Sequence, residues 1–357
     1  MTRGGDRSEA VRRAGIVGAV LGVAAAGVAA GVAGQRALVR RFKRSAGDPY
    51  ADEPLGRQRY DHATRVTTAD GTDIYVEIVE PAVDRPARPA LILVHGFCLD
   101  MGTFYFQRKL LAGRYRLVCY DQPGHGLSGR LKTGEYELPA LGEALRTVID
   151  RVAPDGPLVL VGHSMGGMTI MAFAELYPEM FGDRVVGTVL MATSGGLLEE
   201  TKFGLPTLIS RFGTPLLPVL SSTARLTRPV IDRARQAASD LAWLLTRRYG
   251  FGNPRPSPAL VSYVEEMNSR TSVDTVARYL RTLYTHARYP ALVALRDTPA
   301  LVIVGERDMI TPVTHSEEIL RRLPHAEFVK VPDSGHVVML EHADEVNAAL
   351  ADFLQRL

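Results

Sequence analysis

The chain has 357 residues, 46% of them apolar and 23% charged, with a formal net charge of +3. That composition excludes a collagenous, low-complexity or disordered chain, and so small a charge surplus gives no reason to expect a nucleic-acid partner. Cys98 and Cys119 make neither a disulfide framework nor a metal-ligand spacing, and the sequence has no zinc motif, phosphate loop or internal repeat.

Residues 14–34 carry no charge and are almost entirely Ala, Gly and Val. The stretch has roughly the length that spans a bilayer. Arg12 and Arg13 precede it, and Arg36, Arg40, Arg41, Lys43 and Arg44 follow it. Residues 1–44 are therefore expected to be a membrane anchor. The alternative is an export leader cleaved near Val32-Ala33-Gly34. Basic residues on both sides leave the orientation open. Residues 45–59 are polar, contain Pro49 and Pro54, and read as a linker.

From residue 60 strands and helices alternate. Residues 65–68 and 74–79 form an expected hairpin around Asp70-Gly71. Strands follow at 90–94, 115–120, 158–161, 185–191, 300–304 and 327–331, with helices at 138–152, 168–176 and 343–354. This alternation implies a doubly wound, mostly parallel α/β sheet. About 100 residues between Thr193 and Thr298 break the rhythm, with helical patterns at 231–245 and 273–283. Residues 195–298 are therefore expected to form a helical cap between core segments 60–194 and 299–357. The cap should fold over the carboxyl edge of the sheet, where ligands bind in such folds.

The chemistry begins at Gly162-His163-Ser164-Met165-Gly166. An apolar strand runs into this stretch and an apolar helix leaves it. The two glycines remove the Cβ atoms that would clash in so tight a turn, so Ser164 should present its hydroxyl outward as a nucleophile. A serine needs a base. His336 follows the last expected strand on the loop Pro332-Asp333-Ser334-Gly335, at the carboxyl edge; His325 precedes that strand, at the opposite edge. His163 should point away from the site. Asp308, after the strand at 300–304, is the expected carboxylate partner of His336; Glu306 competes, and Asp333 reads as a turn former. Backbone N–H groups of Met165 and Phe97 are the expected oxyanion donors, with His95 bracing the Phe97 loop.

The stretches "VHGF" (94–97), "DQPGHGLS" (121–128), "GHSMGG" (162–167), "GERD" (305–308) and "SGH" (334–336) occur in this order. With them the chain resembles the α/β-hydrolase superfamily over about residues 60–357. The resemblance implies an eight-stranded sheet with a cap, catalytic roles for Ser164, Asp308 and His336, and no metal or cofactor. Serine at 164 argues against the epoxide hydrolases and haloalkane dehalogenases of the superfamily, which use an aspartate. The implied activity is hydrolysis of a carboxylic ester or thioester through an acyl-enzyme. Alternatives are acyl transfer, C–C bond hydrolysis, or ligand binding with little turnover.

Basic residues outnumber acids in the cap, among them Arg211, Arg225, Arg228, Arg247, Arg248, Arg278 and Arg281, and residues 203–220 are apolar and broken by proline. One reading is a lid that takes an amphiphilic or anionic acyl substrate or rests on anionic lipid. The other is a solubilising surface over an ordinary apolar interior.

Overall fold

The computed structural model describes residues 47–83, 88–196 and 228–357, with positions 34, 37, 39, 41 and 42 before them. Strands β1 (His62–Thr67) and β2 (Asp73–Val79) pair antiparallel, Thr67 opposite Asp73, around the Asp70-Gly71 turn. Six more strands follow: β3 (Ala90–Val94), β4 (Leu117–Tyr120), β5 (Leu158–His163), β6 (Val185–Met191), β7 (Ala300–Gly305) and β8 (Glu327–Val331). The sheet order is β1-β2-β4-β3-β5-β6-β7-β8, and every pairing from β4 onward is parallel.

A parallel sheet must be covered on both faces, and the strands have the composition for it. Leu91, Leu93, Val159, Val161, Leu301 and Ile303 point to one side. There they meet α1 (Tyr105–Leu111), α8 (Val338–Glu341) and α9 (Ala343–Gln355). Ile92, Val94, Leu158, Leu160 and Val302 point to the other side, against α2 (Leu138–Val152) and α3 (Met165–Leu176). The period-2 alternation of side chains thus builds two apolar layers from strands that are apolar throughout.

Between β6 and β7 the chain forms α4 (Arg228–Gly250), α5 (Pro258–Arg270) and α6 (Val273–Thr285). α4 and α6 contain the helical stretches expected at 231–245 and 273–283. α5 has no counterpart among the expected helices, although its start is marked. The Ser257 hydroxyl accepts the Leu260 N–H at 3.2 Å, and Pro258 occupies the first turn. α1 and α7 (Val313–Arg322) likewise have no counterpart among the expected helices, being only seven and ten residues long. The outgoing and returning stems of this insertion meet where Gly196 bridges Ala287. Polar contacts seat it on the sheet domain. The Tyr263 hydroxyl donates to the Gly102 carbonyl (2.9 Å), the Tyr279 hydroxyl to Pro123 (3.0 Å), and Arg270 pairs with Asp100 (3.0 Å).

The segment expected to be a linker is tied down. Tyr105 donates to Glu53 at 2.6 Å and Asp48 accepts the Ala259 N–H at 2.9 Å; before it, Phe42 of the expected anchor segment 1–44 stacks on Trp243. Among the described residues no helix is long and apolar enough to cross a membrane. The expected anchor at 14–34, Gly34 apart, lies outside the described residues, as do 203–220.

Candidate active site

β5 ends at His163 and α3 begins at Met165, so a single residue turns the chain. Ser164 does so with φ 53° and ψ −118°, a conformation that costs a non-glycine residue about 1–3 kcal/mol. The flanking glycines are required by contact. A Cβ at Gly166 would fall on the Val94 carbonyl, and one at Gly162 would stand 2.7 Å from the backbone of Gly166 and Gly167. Gly96 lies as close: a Cβ there would be 3.1 Å from the Ser164 Cβ. The loop after β3 is thereby pressed against the serine, and Phe97 lines the same cavity as Ser164. The Met165 N–H is the first of α3, among those a helix leaves without an internal acceptor.

Because β5, β7 and β8 are parallel, their carboxyl ends share one edge, and the three expected side chains meet there. Ser164 Oγ lies 2.9 Å from His336 Nε2, and His336 Nδ1 lies 2.9 Å from Asp308 Oδ2. Asp308 is buried but well supplied with donors. Its Oδ1 accepts the N–H groups of Ile310 (2.8 Å) and Thr311 (2.9 Å), and its Oδ2 also accepts the Thr311 hydroxyl at 2.9 Å. A carboxylate so solvated by the protein accepts the Nδ1–H of His336. The Nε2 lone pair is then left facing the serine hydroxyl. Glu306 is exposed and Asp333, exposed too, pairs with Arg307; neither belongs to this chain of bonds. Thr311 is a member that sequence reasoning missed. Its only signal was the turn Asp308-Met309-Ile310-Thr311, in which a carboxylate can accept the hydroxyl three residues on.

Two further histidines sit beneath the site. His95 is buried, its Nδ1–H donating to the Gly96 carbonyl at 2.8 Å and its Nε2 accepting the Gln122 N–H at 2.8 Å. Burial pushes its pKa down to about 4, so it is a neutral brace for the Phe97 loop. Gln122 in turn accepts the Thr169 hydroxyl from α3 at 2.7 Å. His163 does not point away from the site as expected. Its Nε2–H donates to the His336 carbonyl at 2.9 Å, and burial holds its pKa well below the usual imidazole range.

Above Ser164 and His336 lies a cavity of about 360 Å³. Its wall is mainly apolar, with Met168, Leu245, Val264, Val276, Leu280 and Leu283 among the residues that line it, and Thr246 and Asn268 add polar atoms on the insertion side. No Asp, Glu, Lys or Arg lines it among the described residues. Of the basic residues expected to meet a substrate carboxylate, Arg247 lies over Phe42, Arg278 pairs with Asp274, and Arg248 reaches Met309 of the cavity wall, while Arg211 and Arg225 lie outside the described residues. A larger cavity of about 590 Å³, beside Arg321 and His325, contains none of the three hydrogen-bonded residues.

The model of the alpha/beta hydrolase family matches residues 91–349. The chain belongs to that family. This α/β hydrolase is 30% identical over 273 residues to the dihydrolipoyllysine-residue acetyltransferase component of the acetoin cleaving system of Pseudomonas putida, with 74% of the chain covered. The match spans only 63% of that longer protein. It is 27% identical to a pimeloyl-[acyl-carrier protein] methyl ester esterase of Xanthomonas oryzae pv. oryzae, covering 74% of this chain and 95% of the esterase. Among solved structures, a thermophilic esterase from Thermogutta terrifontis superposes with a TM-score of 0.61 at 24% identity, over 83% of this chain and 99% of the other. At that identity the superposition speaks for the fold alone.

Proposed function

We propose that this α/β hydrolase cleaves a carboxylic ester or thioester with Ser164 as nucleophile. The observation that carries the reading is the hydrogen-bonded chain Ser164–His336–Asp308 at the floor of an apolar cavity. His336 takes the Ser164 proton as Oγ attacks the acyl carbon, and Asp308 stabilises the imidazolium. The N–H groups of Phe97 and Met165 receive the developing oxyanion. His336 then returns the proton to the leaving alkoxide or thiolate, and water attacks the acyl-enzyme with His336 again as base. An uncharged acyl group matches the wall, and 360 Å³ corresponds to roughly a dozen non-hydrogen atoms at about 30 Å³ each. Residues 195–298 are the cap, of which 245–284 contribute to the wall of this cavity, and residues 14–34 tether the enzyme to a membrane.

The test is direct. Wild-type protein incubated with a fluorophosphonate should gain one adduct, located at Ser164 by mass spectrometry, and should hydrolyse medium-chain p-nitrophenyl esters. Ser164→Ala should keep its circular dichroism and lose turnover by about 10⁴-fold or more. A folded Ser164→Ala protein with undiminished turnover would refute the mechanism.

A further inference from the structure

His163 and Ser164 are consecutive, yet both reach His336, one through each end of the residue. Ser164 Oγ meets the His336 ring, while His163 Nε2–H donates to the His336 backbone carbonyl at 2.9 Å. The two rings also pack, with centroids 4.9 Å apart. His163 is fully buried, and its Nδ1 has no hydrogen-bond partner among the described residues. The Gly96 backbone closes over that nitrogen so tightly that a Cβ there would stand 2.8 Å away. A buried acceptor without a donor is a cost that a space-filling residue avoids. Phenylalanine would put a somewhat larger ring there with no stranded lone pair. What the imidazole adds is the donor aimed at the His336 carbonyl.

We propose that His163 is a positioning residue, pinning the His336 carbonyl so that the His336 imidazole stays between Ser164 and Asp308. The inference rests on the reading of Ser164 and His336 as nucleophile and base. The neighbours of His336 are anchored separately. The Gly335 N–H donates to Glu341 at 2.6 Å, and the Val337 N–H donates to the Gly250 carbonyl at 3.0 Å. His163 holds the carbonyl of His336 itself and ties it to the residue beside the nucleophile. Nucleophile and base thereby share one rigid support, although 172 residues separate them. A neutral His163 also leaves the imidazolium of His336 without a second cation against it.

The test compares His163→Phe, which removes the donor and keeps a ring, with His163→Gln, whose amide can reach the same carbonyl. The Phe variant should lose about 10- to 100-fold in kcat, the scale on which a misplacement of about 1 Å acts. Its KM should be unchanged, its melting temperature only modestly lowered by the unpaired His336 carbonyl, and its rate of fluorophosphonate labelling should fall in parallel with kcat. The Gln variant should recover most of the kcat. Should the Phe variant not fold, His163→Asn, too short to reach the carbonyl, makes the same comparison with Gln. Wild-type kcat in the donorless variant would overturn the positioning role. So would equal losses in Phe and Gln that track a lowered melting temperature. A wild type that neither labels nor turns over would overturn the esterase reading, and this proposal with it; labelled wild type beside an unaffected Phe variant overturns this proposal alone.

Discussion

Replacing Asp308 with Asn should leave the fold in place and slow ester hydrolysis by about 10⁴-fold, a loss of about 5.5 kcal/mol of transition-state stabilisation. The structure dictates which way the amide would sit. Asp308 Oδ1 accepts two backbone N–H groups, from Ile310 and Thr311, whereas Oδ2 accepts the Thr311 hydroxyl and the His336 Nδ1–H. An asparagine must place its carbonyl where the two backbone donors point, because those donors cannot turn. Its NH₂ then faces His336 Nδ1 and donates to it. His336 is forced to carry its proton on Nε2, the nitrogen 2.9 Å from Ser164 Oγ, and has no lone pair there to accept the serine proton. The Thr311 hydroxyl can rotate to accept from the same NH₂, so the substitution leaves no group stranded. The assay is steady-state hydrolysis of a p-nitrophenyl ester, with circular dichroism as the control for folding. Glu306→Gln, outside the hydrogen-bonded chain, should stay within a few-fold of wild type. A folded Asp308→Asn enzyme within tenfold of wild type would refute the tautomer argument.

Stability should fall in mild acid. Burial pushes His95 and His286 down to about 4 and His125 down to about 3, so all three stay neutral in the folded chain where the unfolded chain protonates them near 6.5. Their contribution is complete above pH ~6.5 and is lost as the pH drops toward 4, at up to about 1.4 kcal/mol per pH unit for each histidine. Buried Asp121, pushed up to about 7, works the other way over this range and offsets about one of the three histidines. Thermal melts should therefore still shift downward between pH 6 and 4, and a rising melting temperature across that range would contradict the buried neutral state. For the tether, removing residues 1–33 should move the protein from the membrane to the soluble fraction with its turnover intact. The cut must stop short of Val39, which is buried, and of Phe42, which stacks on Trp243. Full-length protein found wholly in the soluble fraction would rule the tether out.

Local patterns in the chain were enough to identify all eight strands, the glycine-flanked turn at Ser164, and the loops carrying Asp308 and His336. Strand burial leaves a period of 2, a sharp elbow demands glycine, and chain direction tells which loops lie at the carboxyl edge. Helices α1, α5 and α7 were not legible in the same way, being short or weakly periodic, although Ser257-Pro258 did mark the start of one. The contacts of His163 and Gly96 were decided only by tertiary structure. Nothing near His163 in sequence says that its ring would reach a carbonyl 173 residues away, and nothing near Gly96 says that its loop would press on Ser164. The physical reason lies in the range of the forces. Turn sterics and apolar periodicity act between neighbours along the chain and are written there. A hydrogen bond between β5 and the loop after β8 depends on the strand order β5-β6-β7-β8 and on packing across all four strands.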